Sequence, residues 1–321
     1  MINRYTSLPK PFFVLAPMDD VTDSVFRQMI VNCAEPDLLF TEFVNVDGLQ
    51  SPGRQKLISK LQYSSKERPI IAQIWGKSPE NFYKTASELV AMGFAGIDIN
   101  MGCPDKSIVK NGSCAALINN RQLAVEIIQA VKEGSGGKIA ISVKTRLGFN
   151  QVDLSWPALL LRQKLNMLII HGRTRSQRSK VPADWEAIAD VRQLRDQLSP
   201  ETLIVGNGDV LNRQHGQELA EKYMLDGIMI GRGVFQDPFA FSLDSPWPSY
   251  SRSQKLSLFA KQVKLYQKTA PNHRRPIQTL NKFCKLYVNG FDGAKELREQ
   301  LMSATSSNKL LSLLKKSINN P

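Results

Sequence analysis

Short apolar runs alternate with longer amphipathic stretches along the first three quarters of the chain. The apolar runs are rich in strand-forming residues, whereas the stretches between them repeat apolar positions at helical spacing. The candidate strands are residues 12–16, 38–42, 70–74, 96–100, 139–144, 167–171, 203–206 and 227–230. Eight strands separated by helices favour an α/β fold, a (β/α)8 TIM barrel rather than an open doubly wound sheet.

The pattern changes after Pro238. Residues 244–249, Asp-Ser-Pro-Trp-Pro-Ser, are typical of a linker, and four helical stretches follow at 253–269, 276–289, 293–304 and 308–317. We therefore predict two domains. Residues 1–240 form the catalytic TIM barrel, and residues 241–321 form a small C-terminal helical bundle domain.

Composition indicates a globular chain of 321 residues, 42% of them apolar. No window approaches the ~18–20 apolar residues of a membrane span, and the first residues contain no signal-peptide core, so we expect a cytoplasmic protein. The cysteines lack CxxC spacing and are predicted to be reduced thiols. The three histidines are too far apart in sequence for a metal motif, so no metal is predicted.

The net charge of +13 is concentrated at the end of the chain, because residues 241–321 hold 14 Lys or Arg and 4 acidic residues. Six aromatic residues are interleaved with these cations: Trp247, Tyr250, Phe259, Tyr266, Phe283 and Tyr287. A basic module with aromatics suits a polyanion such as RNA. A solvated helical surface and a membrane-surface helix remain open alternatives.

Polar residues or glycines follow most of the candidate strands. They are Ala16-Pro17-Met18, Thr41-Glu42, Gln73, Asn100 with Cys103, Lys144 with Arg146, His171 with Arg173, Asn207 with Asp209, and Gly231-Arg232. The loops after the strands build the active site of a barrel, so this series predicts a catalytic face.

Cys103 follows the strand at 96–100 within Asn100-Met101-Gly102-Cys103-Pro104. Pro104 lacks a backbone donor and Gly102 permits unusual dihedrals, so the strand stops abruptly and displays the thiol at its carboxyl end. A free cysteine is more often a small hydrophobe, but this setting favours chemistry. At an unperturbed pKa of ~8.5 the thiol would be mostly protonated at neutral pH and could act as a general acid.

Two glycine-rich turns end the last two strands, Gly206-Asn207-Gly208-Asp209 and Ile230-Gly231-Arg232-Gly233. Barrels commonly bind a phosphate there, and Arg232 could add a charge-assisted bond. Neither turn matches GxGxxG or a P-loop, so a single phosphate on a cofactor such as FMN fits better. The loop at 171–180 holds four cations and no acid, which favours contact with a nucleic-acid backbone.

Taken together, the motifs resemble those of the tRNA-dihydrouridine synthase family over nearly the whole chain. They are Ala16-Pro17-Met18 with Val21-Thr22-Asp23, Gln73-Ile74-Trp75-Gly76, residues 98–104, Val143 to Gly148, His171-Gly172-Arg173-Thr174, and the two glycine-rich turns. The resemblance implies an FMN-containing barrel, a basic helical domain that grips tRNA, and NADPH-driven reduction of one uridine to 5,6-dihydrouridine.

The resemblance also implies roles for individual residues. Cys103 matches the catalytic thiol, which would protonate C5 of a flipped-out uracil while N5 of FMN passes hydride to C6. The cofactor would be held by Ala16, Pro17, Met18, Gln73, Lys144, His171, Asn207, Gly208, Asp209, Gly231 and Arg232. Candidates for contact with the tRNA uridine are Asn100, Arg173, Arg175 and Arg178.

The chain departs from the family pattern in the basic loop, where Ser179 and Val181 precede Ala183-Asp184-Trp185. Cys114 is expected to be structural, and the protein to be a monomer. Two other functions remain open: an FMN barrel that reduces a small molecule, and a tRNA-binding protein without catalysis. The first would leave the basic C-terminal region unexplained, and the second has no need of Cys103 or Lys144.

Overall fold

Parallel strands and helices alternate in the computed structural model, which describes residues 5, 7–273 and 275–319, with 270–273 described by their backbone alone. The strands are β1 Phe12–Leu15, β2 Leu39–Phe40, β3 Val44–Asn45, β4 Ile70–Trp75, β5 Gly96–Met101, β6 Ala140–Arg146, β7 Met167–His171, β8 Leu203–Asn207 and β9 Gly227–Ile230. The helices are α1 Ser24–Cys33, α2 Val46–Leu49, α3 Arg54–Leu57, α4 Pro79–Ala91, α5 Lys106–Lys110, α6 Arg121–Ser135, α7 Ser155–Leu161, α8 Trp185–Leu198, α9 Arg213–Tyr223, α10 Arg252–His273, α11 Cys284–Tyr287, α12 Ala294–Met302 and α13 Ser307–Asn319.

The sheet closes into a barrel. Neighbouring strands are parallel, in the order β1, β9, β8, β7, β6, β5, β4, β2, with β3 paired to β4. Val14 of β1 forms a bridge with Leu38, and the Leu15 N–H donates to the Leu38 carbonyl at 3.2 Å, so the last strand returns to the first. The predicted (β/α)8 barrel is confirmed.

The strand bounds differ from the predicted ones at the carboxyl ends. β6 runs on to Arg146, which places Lys144 and Arg146 two residues apart in one strand and on the same side of it. The run predicted at 38–42 is a strand only over Leu39–Phe40. β3 was not predicted, because two residues are too short to give an alternating pattern.

Successive residues of β1 face different parts of the core. Phe12 and Val14 belong to the cluster that fills the barrel, whereas Phe13 and Leu15 belong to the cluster between the barrel and its helices. Both sides of a parallel barrel strand are buried, which is why the strands form nearly continuous apolar runs in the sequence.

Side-chain caps set the start of several barrel helices. Asp23 accepts from the Phe26 N–H at 2.9 Å before α1, and Asp184 and Asn212 cap α8 and α9 in the same way. Each cap satisfies a backbone donor that the first turn leaves free. These polar residues of the βα loops therefore serve the fold.

The C-terminal helices pack directly on the barrel. The Phe26 ring of α1 stacks on Phe283 at 4.7 Å and faces Phe235 at 6.0 Å, and Arg275 pairs with the Glu42 carboxylate at 2.6 Å. The apolar core continues from the barrel helices into α10 to α13. The division into units 1–240 and 241–321 stays a prediction.

The aromatic residues of the C-terminal region are core residues. Phe259, Phe283 and Tyr287 are buried, and Trp247 and Tyr266 are nearly so. These five rings are therefore not available for RNA contact, since they pack inside the protein, where some of them stack on one another and on α1. RNA binding by the basic region stays a prediction. The charge of this region is carried by a surface of lysines.

The predicted helix at 276–289 has a different form. A 3-10 helix spans Ile277–Phe283 and leads into the single turn of α11. The Thr279 N–H donates to the Pro276 carbonyl at 3.0 Å, the three-residue spacing of a 3-10 turn. The other three C-terminal helices are present as predicted.

None of the helices in the described residues is both long enough and apolar enough to cross a membrane.

Candidate active site

A cleft of about 190 Å³ opens at the carboxyl ends of the barrel strands. The structure brings ten of the eleven predicted cofactor residues to its wall. The lining residues are Ala16, Pro17, Met18, Lys144, His171, Arg173, Ser179, Asn207, Gly208, Asp209, Val210, Gly231 and Arg232. Residues from five separate strand ends thus meet at one place, although cofactor binding itself stays a prediction.

Gln73 is the predicted cofactor residue that does not line this cleft. Its side chain is fully buried, and its Nε2 donates to the Asp98 carboxylate at 2.7 Å. Asp98 also accepts from the Ser142 hydroxyl at 2.6 Å, and burial raises its pKa to about 6. Gln73 therefore belongs to a buried polar network between β4, β5 and β6.

Asn100 fixes the turn that carries Cys103. Its Oδ1 accepts from the Gly102 and Cys103 N–H groups, both at 3.0 Å, and its Nδ2 donates to Gln73 at 3.0 Å. Both acceptor positions of the amide oxygen are thereby used. Asn100 positions the thiol, and its predicted contact with a uracil stays a prediction.

Cys103 is half-buried at the end of β5, and its pKa is lowered to about 7. The main cause is a hydrogen bond from the Cys114 thiol; burial opposes it, and the Asp105 N–H and Arg146 add to the lowering. The expectation of an unperturbed, mostly protonated thiol is therefore wrong. Near pH 7 about half of Cys103 is therefore protonated. A pKa near 7 is well matched to proton transfer at neutral pH.

Lys144 and His171 stand on adjacent strands, β6 and β7. Lys144 Nζ donates to Asn207 Oδ1 at 3.1 Å, and Asn207 Nδ2 donates to the Met229 carbonyl at 2.9 Å. Burial, and then Arg146, lower the pKa of Lys144 to about 8. Burial and the neighbouring cations hold the pKa of His171 well below its usual value, so the imidazole is neutral.

Arg173 is the central cation of the cleft and is only 2% exposed. Its guanidinium donates to the Val181 carbonyl at 2.6 Å, to His171 Nε2 at 3.0 Å and to the Asp209 carboxylate. An always-protonated arginine makes His171 Nε2 the acceptor, so the ring proton lies on Nδ1. Arg173 thus holds the basic loop to the barrel.

Asp209 joins Arg173 to Arg232, with which it pairs at 2.8 Å. Burial would raise the pKa of Asp209, but the Ala183 N–H and the two arginines outweigh it and the pKa is lowered. Asp209 was predicted to contact the cofactor directly. In the structure its carboxylate organises the two arginines and the loop.

Arg146 ties the Cys103 turn to the basic loop. Its Nε donates to the Gly102 carbonyl at 2.7 Å, and its Nη1 donates to the carbonyls of Thr174 and Arg178 at 3.1 and 3.0 Å. Arg146 was predicted to lie on the catalytic face, but no contact was predicted for it there. Its spacing of two from Lys144 in one strand was the available signal, because it placed both cations on one side of β6.

The basic loop exposes only part of its charge. Arg175 packs over the Phe149 ring at 5.1 Å, whereas Arg178 and Lys180 are exposed. Arg173 was predicted to contact the uridine, but its guanidinium is already occupied inside the protein. Arg178 is the predicted uridine contact that is open to solvent.

Three carboxylates, Asp19, Asp20 and Glu42, have oxygens within 4.8 Å of one another in the described residues. Glu42 is paired with Arg275 at 2.6 Å and Asp19 with Lys60, so cations already balance this group. The absence of a metal remains a prediction.

Sequence comparison finds a family model described as "Dihydrouridine synthase (Dus)" that matches residues 14–320. A "Probable tRNA-dihydrouridine synthase 2" of Bacillus subtilis (strain 168) is 44% identical over 315 residues, 97% of this chain and 95% of its own length. A "Probable tRNA-dihydrouridine synthase" of Staphylococcus aureus (strain COL) is 44% identical over 307 residues, 95% of this chain and 92% of the relative.

Solved structures with a similar fold are more distant in sequence. Morphinone reductase in complex with tetrahydroNAD aligns with a TM-score of 0.51 and 14% identity, over 76% of this chain and 91% of the other. Histamine dehydrogenase from Rhizobium sp. 4-9 aligns with a TM-score of 0.54 and 11% identity, over 96% of this chain and 62% of the other. At these identities the likeness concerns the fold alone.

Proposed function

The chain belongs to the dihydrouridine synthase family, and from this premise we propose that it reduces one uridine of tRNA to 5,6-dihydrouridine, with NADPH as reductant, FMN in the cleft and Cys103 as general acid. The observation that supports this function most is the turn at Cys103. A half-buried thiol with a pKa of about 7 stands beside a cationic cleft built from several strand ends.

The cleft has the donor set that FMN requires. Lys144, Arg173 and Arg232 outnumber the single carboxylate of Asp209, which suits a phosphate. Gly208 has a φ of +136°, and a Cβ there would lie 2.6 Å from the Ala183 Cβ, so only glycine keeps this wall in place. The residues present therefore fit the cofactor.

We assign the phosphate and ribityl end to Asn207, Gly208, Asp209, Gly231 and Arg232. Ala16, Pro17 and Met18 would contact the ring, Lys144 and His171 would bind its polar edge, and Gln73 would act through its buried network. When bound, FMN supplies the hydride for C6 of the uracil and takes its electrons from NADPH. Lys144 stays largely protonated at pH 7 and offers positive charge at the ring.

Cys103 supplies the proton. The uracil must leave the RNA stack to reach it, as in other enzymes that act on a base. The Cys103 S–H bond breaks, the proton passes to C5, and the electron pair stays on sulfur, where the Asp105 N–H and Arg146 stabilise the charge. The residues proposed for the uridine side of the site remain Asn100, Arg173, Arg175 and Arg178. Arg178 is exposed, whereas Asn100 holds the turn of Cys103 and Arg173 holds the basic loop.

The helical region 241–321 is proposed to grip tRNA. Lys261, Lys264 and Lys268 follow the i, i+3, i+7 spacing of one side of α10, and all three are exposed. A stripe of cations along a helix is the electrostatic feature expected for a phosphate backbone. The protein is proposed to act as a monomer in the cytoplasm.

The test is a position-resolved dihydrouridine assay on tRNA that lacks the modification, with the purified full-length protein, FMN and NADPH. We expect one uridine to be converted. FMN-loaded protein that loses its yellow colour when NADPH reduces the flavin, but that leaves tRNA unchanged, would favour a small-molecule acceptor. Protein that binds tRNA yet cannot be loaded with FMN would favour a binder without catalysis.

A further inference from the structure

Cys114 lies against Cys103, although the two thiols are 11 residues apart in sequence. It opens the 3-10 helix Cys114–Ile118, and the next residue, Ala115, donates its N–H to the Cys103 carbonyl at 3.4 Å. The Cys114 thiol also acts on the Cys103 sulfur: its hydrogen bonding lowers the pKa of Cys103, while burial and the same interaction raise the pKa of Cys114. The two residues are therefore joined through backbone and side chains.

The backbone of Cys114 is in a conformation that favours glycine. Its φ is +53°, in the left-handed region, and the residue is fully buried. A side chain in this region costs on the order of 1–2 kcal/mol relative to glycine. The chain therefore has a cysteine at a position where glycine would be unstrained.

The groups that face Cys103 come from three elements. Asp105 lies in its own turn, Arg146 and Lys144 stand on β6, and Cys114 lies on the 3-10 helix. The Asp105 charge disfavours a thiolate, whereas its N–H and Arg146 favour one. Cys114 has the largest effect on the Cys103 sulfur, and it carries no charge of its own.

We propose that Cys114 is a positioning residue of the reaction, whose S–H holds the Cys103 sulfur in place and stabilises the thiolate left when Cys103 gives its proton to C5 of the uracil. The stabilisation of the thiolate after proton transfer rests on the proposed function, whereas the contact between Cys114 and Cys103 does not. The expectation that Cys114 is merely structural is replaced by this role.

Alkylation of Cys103 by iodoacetamide, followed by mass spectrometry across pH in the full-length protein, tests the pair without tRNA. Only the thiolate reacts, so the rate rises with its fraction. The wild-type midpoint is expected near pH 7. In Cys114→Ala the midpoint moves up towards the ordinary value of ~8.5, and the rate at pH 7 falls about tenfold or more.

Two further variants separate hydrogen bonding from folding. Cys114→Ser keeps a donor and should keep the low midpoint, whereas Cys114→Gly suits the positive φ, should melt no lower than wild type, and should still lose the low midpoint. Cys284→Ala, which removes a buried thiol with a pKa of about 12 elsewhere, is the matched control and should change nothing.

Wild-type midpoints in both Cys114→Ala and Cys114→Gly would overturn the proposal, as would a Cys114→Ser midpoint as high as that of Cys114→Ala. If the midpoints move as expected but wild-type protein forms no dihydrouridine, the thiol pair stands and the proposed function fails.

Discussion

The cations of the barrel mouth and the cations of the helical region have the same charge but different surroundings. At the mouth, Lys144, Arg146 and Arg173 each donate to named protein oxygens, and Arg173 is almost fully buried. Among the described residues of the helical region, Arg275 is the cation that pairs with carboxylates, while Lys261 and Lys264 extend into solvent without an acidic partner.

The difference separates two uses of positive charge. Buried, hydrogen-bonded cations keep a fixed geometry and a field that salt hardly screens, which suits a cofactor and a reacting base. Exposed lysines are hydrated and mobile, and they attract a polyanion mainly by releasing its counterions. We therefore expect substitutions in the two regions to affect different measurements.

Among the substitutions that compare the two regions, the largest effect should come from removing the lysine stripe of α10. Changing Lys261, Lys264 and Lys268 together to Gln should reduce the salt slope of tRNA binding by about 2 and weaken binding at 0.1 M salt by about 100-fold, if each contacts one phosphate. Filter binding across salt concentrations measures this.

The matched control changes three exposed lysines of the barrel, Lys66, Lys138 and Lys164, to Gln. Its salt slope should equal that of wild type. An equal loss in both variants would mean that binding follows total charge rather than the stripe. Substitution is preferable to deleting 241–321, because deletion would expose Phe26 and the core shared with the helices.

Removing a buried cation should instead affect folding. Arg173→Ala leaves the Val181 carbonyl, His171 and Asp209 without their shared donor. Hydrogen bonds to charged groups are worth about 1.5–3 kcal/mol, so we expect a loss of that order in the free energy of unfolding by urea. Lys264→Ala, which removes an exposed cation, should stay within about 0.5 kcal/mol.

Arg232 is intermediate between the two classes, since it lines the cleft yet is largely exposed. Arg232→Gln should weaken FMN binding about tenfold, the loss of one charge-assisted bond, without lowering the melting temperature. Fluorescence titration of flavin measures this. Lys222→Gln, a change at an exposed cation away from the cleft, should leave flavin affinity unchanged, and equal weakening there would contradict the assignment.

The smallest effect concerns pH. The reaction needs the protonated thiol, and the pKa of Cys103 is about 7, so kcat/KM for tRNA should be highest below that pH and fall to about half near pH 7. The value of kcat/KM falls as the pH rises because Cys103 acts as an acid, and its thiolate has no proton to give. A rate that rises through pH 7 would indicate that Cys103 acts as a thiolate instead.

The sequence allowed the barrel and most of the cleft to be predicted, because parallel strands bring their carboxyl ends together. Gly208, His171 and Lys144 could be grouped on that ground alone. The partners of Arg146 could not be predicted, since its acceptors are backbone carbonyls of two distant turns. The contact of Cys114 with Cys103 depends on how a short 3-10 helix folds back, which periodicity does not encode.

The aromatic residues of the helical region illustrate the same limit. Composition shows that rings and cations alternate in sequence, but not which of them face inward. Packing against α1 decides this, and it buries Phe259 and Phe283 while the lysines between them stay exposed.

The most direct test of the account follows the two half-reactions of Cys103→Ala separately. NADPH should bleach the yellow FMN-loaded variant at the wild-type rate, because Cys103 takes no part in that step. Addition of unmodified tRNA should restore the colour ~10²–10⁴-fold more slowly than in wild type, the usual contribution of a general acid. Cys33→Ala, which removes a thiol outside the site, should behave as wild type. Colour that returns at the wild-type rate in Cys103→Ala, with dihydrouridine formed, would contradict the assignment of Cys103 as the acid.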